Sequence, residues 1–263
     1  MGASSRQALA AAVDRLADAR GVTVTTGEQL LMASRALDES AQLRGILADP
    51  AIEAEEKSAL VARVLPGLDK VAAAQLDGLL AARWSSGAEL VDGIEQIGIR
   101  AIARGEGHNA VIESELFAFG RIVASDPELE LALGSKLANA QGKAGIVDRL
   151  LGKKASAGTV IIIDHLVRSP RGRRIGEMLA TAGDIVAASG ERRIATVTSA
   201  AALSAAQQKR LAAALAKQYG NDIQLNLVVD PSVVGGARVQ VGDEVIDGTI
   251  AARLAELRLQ LAG

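Results

Sequence analysis

The stretch Ile223-Gln224-Leu225-Asn226-Leu227-Val228-Val229-Asp230-Pro231, followed by Val233 to Val241 and then Gly242-Asp243-Glu244-Val245-Ile246-Asp247-Gly248-Thr249-Ile250, decides how this chain is divided. Ile223, Leu225, Leu227 and Val229 alternate with polar Gln224 and Asn226, the period of a half-buried strand. Asp230-Pro231 turns the chain, Val233 to Val241 reads as a second strand, and Gly242-Asp243 is a hairpin tip from which Glu244 to Ile246 returns. Gly235 and Gly236 interrupt the second strand, where a bulge or a close backbone approach is expected. Asp247-Gly248-Thr249 ends the sheet pattern and caps a helix with the stripe Ile250, Leu254, Leu257 and Leu261. Upstream, Arg193 to Thr198 is a short strand, and Ser204 with Gln207 forms a capping box for a helix that ends near Tyr219 at Gly220. The order over 193–263 is therefore β-α-β-β-β-α, a small α+β domain.

Everything before Gly190 to Arg193 reads as helix broken by Gly, Pro and Asp. Leu9, Val13 and Leu16 form one stripe; Leu30, Ser34, Leu37 and Ala41 form a second face that leads through Leu43 and Leu47 to Asp49-Pro50. Leu60, Val61, Val64 and Leu65 stop at Pro66-Gly67, and Leu76, Leu79, Leu80 and Trp84 make another stripe. Leu90, Ile94, Ile97 and Ala101 make a clean i, i+4, i+7, i+11 face. Each helix is short and one-sided, so the set must bundle to bury its faces.

The bundle text repeats. At a shift of 86 residues Leu30 falls on Leu116, Arg35 on Arg121, Leu47 on Leu133, Lys57 on Lys143, Val61 on Val147 and Leu65 on Leu151. At a shift of 85 Arg83 falls on Arg168, Gly87 on Gly172 and Gly98 on Gly183. Amphipathicity alone does not space glycines equally, so the match argues for a duplicated bundle. Three segments are expected: 1–107 as copy one, 108–192 as a partial copy two, and 193–263. Only Gly107, His108 and Asn109 precede the next helix, so copy two has no room for a first helix of its own and is expected to lean on copy one.

Composition narrows the function. The chain has 263 residues, 29 Lys+Arg against 31 Asp+Glu, and 2% aromatics, which disfavours a nucleic-acid binder or a ring-stacking site. With no cysteine, disulfides, thiolate catalysis and Cys-held metals are excluded. Hydrophobic content of 49% supports a sizeable core, yet no uncharged apolar run is long enough to span a bilayer. Gly142-Lys143 lacks the upstream glycine of a phosphate loop, and His108 and His165 show no metal-ligand spacing. His165 reads as a core or cap residue and His108 as solvated. Arg171, Arg173 and Arg174 read as a solvated helix start. Asp243, Glu244 and Asp247 are explained by a hairpin tip and a helix cap rather than a metal. No catalytic, cofactor or metal residue is assigned, and the chain is not expected to be an enzyme. On the residues alone, a helical adaptor of some other assembly remains open.

The block from Leu227 to Leu254 decides between these readings. Its run Gly242-Asp243-Glu244-Val245-Ile246-Asp247-Gly248-Thr249-Ile250 followed by Arg253-Leu254, preceded by Gly235, closely resembles the signature of the F-type ATP synthase delta subunit family, which includes the oligomycin-sensitivity-conferring protein. Thr198 to Ser204 and the helical front resemble the same family, in a long form similar to those of high-GC Gram-positive bacteria. The resemblance implies a stator subunit without an active site or cofactor. It would tie the catalytic head, through the amino-terminal helices of alpha subunits, to the carboxyl-terminal ends of the b subunits of the peripheral stalk. It would sit on the cytoplasmic face of the bacterial membrane without inserting, and so let rotor torque drive ATP synthesis. Ile250, Leu254 and Leu257, or surplus apolar positions on the Ile223 strand, are the candidate b contacts.

Overall fold

The computed structural model describes residues 1–134, 140–189, 193–219, 223–231, 233, 235–241 and 244–248. The chain is mainly α and divides into two compact units, Met1–Gly190 and Glu191–Gly263. The first holds α1 (Ala3–Asp18), α2 (Val24–Glu39), α3 (Ala41–Ala48), α4 (Ala54–Val64), α5 (Lys70–Ala81), α6 (Gly87–Glu106), α7 (Asn109–Ser125), α8 (Pro127–Gly134), α9 (Ala140–Leu151), α10 (Ala157–Arg168) and α11 (Ile175–Ser189). The second holds β1 (Arg193–Ser199), α12 (Ala205–Tyr219), β2 (Ile223–Val229), β3 (Ala237–Val241) and β4 (Glu244–Asp247).

Local chemistry sets the helix ends. The face from Leu30 to Ala41 is not one helix, because Ser40 leaves helical geometry at ψ 99 and caps α3 by accepting from the Leu43 amide at 3.1 Å. Trp84 lies beyond α5 and donates its indole N–H to the Leu79 carbonyl at 2.7 Å, which closes the helix end over the core. Arg104 donates to the Ala17 and Ala19 carbonyls at 3.0 and 2.7 Å, and so satisfies acceptors at the end of α1. The α10 N-terminus is held by two carboxylates from other helices. Glu106 accepts from the Gly158 amide at 2.7 Å, and Glu115 accepts from the Ser156 amide and hydroxyl and from the Thr159 hydroxyl.

Two cores fill the first unit. One gathers Leu16, Leu30, Leu37, Leu47, Val61 and Leu76 with Leu90, Ile94 and Ile97 from the first half of α6. The other gathers Leu116, Phe119, Leu133, Val147, Ile162 and Leu166 with Ile99, Ile102 and Ala103 from the second half of α6. One long helix thus serves both, and α6 packs on α10 and α11 as α1 packs on α5 and α6. The place of the missing first helix in copy two is taken by the last helix of copy one. The matched pairs Leu30/Leu116, Leu47/Leu133, Val61/Val147 and Leu65/Leu151 are all buried, as are Lys57 and Lys143. Lys57 is tolerated there because its ammonium reaches the Leu80 carbonyl at the end of α5. The shift of 85 holds between α6 and α11 but not at its first two pairs. Arg83 follows α5 whereas Arg168 ends α10, and Gly87 opens α6 whereas Gly172 lies in the turn before α11.

In the second unit the strand order is β2-β1-β3-β4, with β1 parallel to β2 and antiparallel to β3, and β3 antiparallel to β4. The parallel pair needs a crossover, which α12 supplies. Ala195, Val197 and Val239 pack with Leu215 of α12, flanked by Leu211, Leu225 and Ile246. Ser204 and Gln207 cap α12 reciprocally, at 2.8 Å from the Ser204 amide and 3.3 Å from the Gln207 amide. The second strand expected from Val233 begins at Ala237, because Gly235 and Gly236 take φ of 67 and 80 and turn the chain before pairing starts.

Candidate functional site

Where the structure describes the signature residues, they shape the edge of the sheet. Gly235 sits in the turn, its amide donating to the Val233 carbonyl at 2.9 Å. Ile246 pairs with Val239 and flanks the core, Asp247 pairs with Arg238, and the Gly248 amide donates to the Ala237 carbonyl at 3.0 Å. These positions fix the turn into β3 and the pairing of β3 with β4. Gly242, Asp243, Thr249, Arg253 and the candidate partner contacts Ile250, Leu254 and Leu257 lie outside the described residues. On the other face of the question, β2 is an edge strand, and Leu227, Val228 and Val229 are exposed along it.

The concentrated polar chemistry lies elsewhere, in the first unit, where copy two meets α2 and α6. Glu95 of α6 and His165 of α10 are both buried, and His165 Nε2 donates to Glu95 Oε2 at 2.8 Å. Arg35 Nη1 approaches His165 Nδ1 at 3.1 Å, so the geometry fits a neutral ring with its proton on Nε2. Arg173 donates to both Glu95 oxygens, at 2.7 and 3.0 Å, and Arg171 pairs with Glu95 and, at 2.9 Å, with Asp92. Ser169 donates to Asp38 at 2.9 Å and completes the seam. Arg171 and Arg173 are therefore not a solvated helix start: α11 begins only at Ile175, and the turn before it carries both guanidinia onto α6. Arg174 alone of the three is exposed.

The ionisation states follow from this packing. Burial alone would raise Glu95, but the bonds from His165 and Arg173 and the charge of Arg171 prevail and hold it at about 2. His165 is lowered, since burial together with the Arg35 and Arg171 charges outweighs Glu95. Burial also raises Asp92, against the pull of Arg171. Every nitrogen of the imidazole and both oxygens of the Glu95 carboxylate face protein partners, so the cluster fastens α10 and the turn before α11 onto α2 and α6. Sequence reading placed His165 in the core but missed this network. The signal was two acids, Asp92 and Glu95, inside the apolar run from Leu90 to Ile99 and a basic cluster far along the chain, with nothing local to pair them. Among the described residues no group of three His, Cys, Asp or Glu side chains is placed to hold a metal ion, and no helix is long and apolar enough to cross a membrane.

Comparison with known proteins gives these features a family. The model of the ATP synthase delta (OSCP) subunit family matches residues 99–261, from the second half of α6 to the end of the α+β unit. ATP synthase subunit delta of Leifsonia xyli is 47% identical over 264 residues, covering all of both chains. The proteins of the same name from Streptomyces griseus and Thermobifida fusca are 44% and 42% identical, covering 100% and 98% of each chain. The front bundle is therefore shared with these long relatives, while the family model begins where α6 enters the second core. With its α+β signature, its helical front and full-length relatives of one name, the chain belongs to the ATP synthase delta (OSCP) subunit family.

Proposed function

We propose that this chain is the non-catalytic stator subunit that links the catalytic head of an F-type ATP synthase to its peripheral stalk. The observation that carries this reading is the full-length match, at 47% identity, to a protein named ATP synthase subunit delta. On this reading the helical front, built as copies 1–107 and 108–192, grips the amino-terminal helices of alpha subunits. The unit from 193 to 263 grips the carboxyl-terminal ends of b subunits. The chain sits on the cytoplasmic face of the membrane through these partners and holds the head still while the rotor turns. A bundle of short amphipathic helices suits helix-in-groove recognition, and grips by two units of one chain raise the effective concentration of each. The exposed Leu227, Val228 and Val229 on the edge strand are a second apolar candidate for the b contact, besides Ile250, Leu254 and Leu257.

The test is affinity purification of the tagged chain from native membranes, with alpha and b subunits expected among the co-eluting proteins. Their absence would sink the reading. Leu257→Asp is expected to weaken retention of the head on membranes while leaving the ATPase of the soluble head intact. Unchanged co-sedimentation with a folded variant would reject that face as the b contact.

A further inference from the structure

The two copies bury the same inner stripe but differ on the next stripe round. Along α2 and α7, Thr26/Ile112, Leu30/Leu116, Ala33/Phe119 and Leu37/Val123 are buried in both. One position further round, Leu31 is 0% exposed whereas its counterpart Phe117 is 70% exposed. Along α6 and α11 the pattern recurs: Leu90/Ile175, Ile94/Leu179, Ile97/Ala182 and Ala101/Val186 are buried in both. Val91, Glu95, Gly98 and Ile99 are buried, but their counterparts Gly176, Ala180 and Asp184 are exposed and Gly183 is half-buried. In copy one much of this second stripe is covered by copy two: Leu31 and Ile99 join the core that holds Ile162 and Leu166 of α10, His165 meets Glu95 and Arg35, and Ser169 just past α10 meets Asp38, while Gly98 lies under Leu31. In copy two the same stripe lines an open groove of about 630 Å³ between α7 and α11, in which Phe117, Gly120, Ala124, Gly176, Ala180 and Gly183 supply the apolar and small-residue lining.

We infer that the α7/α11 groove is a docking site for an amphipathic α-helix of a partner protein, seated as α10 is seated on α2 and α6. The repeat itself supplies the template, since the equivalent face in the same chain is closed by a helix. The floor is suited to it: a Cβ at Gly176 or Gly183 would meet nothing within 4 Å. Because Ala180 stands where copy one has Glu95, the ridge entering this groove is aliphatic and needs no imidazole or guanidinium at its centre. The ends of the groove differ in charge. The helices run antiparallel, with Asn109 of α7 reaching the Val186 carbonyl of α11 at 3.5 Å, so Glu113 and Asp184 share one end while Arg121 and Gly176 mark the other. The partner helix presents Lys or Arg toward Glu113 and Asp184 and a carboxylate toward Arg121, with apolar residues three and four apart between them. A second copy of this chain fits less well. The α10 surface that covers copy one is already buried there, and a head-to-tail contact between copies would propagate instead of closing.

The chain has no cysteine, so Phe117→Cys gives a single reporter, with Ala118→Cys on the neighbouring exposed stripe as its control. Both full-length variants are labelled with a maleimide, free and in the complex recovered from membranes. Phe117→Cys is expected to label freely in the isolated chain and at least ten-fold more slowly in the complex, with Ala118→Cys changing less. A benzophenone placed at Phe117→Cys should then cross-link to an amphipathic helix of another polypeptide. Equal labelling of a chain that has entered the complex overturns the inference while leaving the proposed function standing. A chain that enters no complex defeats the proposed function instead, and its groove then gains no partner. Protection in the dilute free chain, or adducts on residues 193–263, would show that the chain fills its own groove. Adducts on a second copy would show self-association. Either result rejects the partner helix. As a second arm, Gly183→Leu fills the groove where space is free and should weaken entry into the complex at least ten-fold without lowering the melting temperature; normal entry of this variant also counts against the site.

Discussion

Copy one and copy two are built on the same inner stripes, yet one is enclosed and the other is half open. α2 and α6 cross so closely that a Cβ at Gly27 would lie 2.6 Å from the Gly98 carbonyl oxygen, and copy two then covers their outer face. α7 carries Glu113 where α2 carries Gly27, and α11 faces α7 across a groove. A repeat in sequence therefore need not repeat its environment: copy one uses its outer face to hold copy two, and copy two is left with a face to offer. The glutamate at position 95 marks the difference, since a carboxylate is tolerable there only because the other copy brings the groups that satisfy it.

The comparison can be broken at that residue first. Glu95→Ala strips the carboxylate from two half-buried guanidinia and a buried imidazole and is expected to cost about 3–5 kcal/mol, a loss of order 10 °C in melting temperature. Its counterpart Ala180→Glu should shift stability by no more than about 0.5 kcal/mol, because that site faces solvent. Calorimetry of both variants checks the pair, and equal losses would mean the two faces are not differently covered. Next come the apolar positions. Leu31→Ala should cost about 2–5 kcal/mol by chemical denaturation, while Phe117→Ala should stay within about 0.5 kcal/mol. A smaller contrast is expected at the glycines. A Cβ at Gly98 would meet Leu31 at 2.7 Å, so Gly98→Ala should destabilise by about 1–3 kcal/mol. Gly183→Ala meets open space and should stabilise by up to about 1 kcal/mol through helix propensity.

Acid supplies the most graded test. The folded pKa of His165 is lowered from 6.5, so the native state resists its proton and the unfolded chain takes it. Its contribution is complete above 6.5 and is lost as pH falls below that value, at up to about 1.4 kcal/mol per pH unit. Glu95 acts lower, its contribution being present above 4.5 and lost as pH falls from there to about 2. Denaturant midpoints measured from pH 7 down to 4 should fall, and His165→Gln should flatten the upper part of that slope. An unchanged slope would mean that His165 does not titrate against the seam.

Much of this was legible in advance because it is periodic. The face Leu90, Ile94, Ile97 and Ala101 is buried as its spacing requires, and Ser204 with Gln207 caps α12 as the motif demands. Breaks without Gly or Pro were harder. Ser40 splits one expected helix into two, since a serine both continues a stripe by size and caps a new helix by its hydroxyl. Trp84 continued the stripe of α5 in sequence, but its indole folds back on Leu79 from outside the helix.

The order of residues by itself determined the mainly helical front, the small α+β end, the repeat at 86 residues and the family signature, because each rests on local periodicity, on capping or on an uninterrupted motif. Only the tertiary structure decided that α6 serves two cores, that Glu95 finds His165, Arg171 and Arg173, and that the stripe closed over Leu31 stands open around Phe117. The physical reason is distance along the chain. A side chain's neighbours within four residues are set by helix geometry, whereas a partner some 70 residues away is set by how whole helices stack.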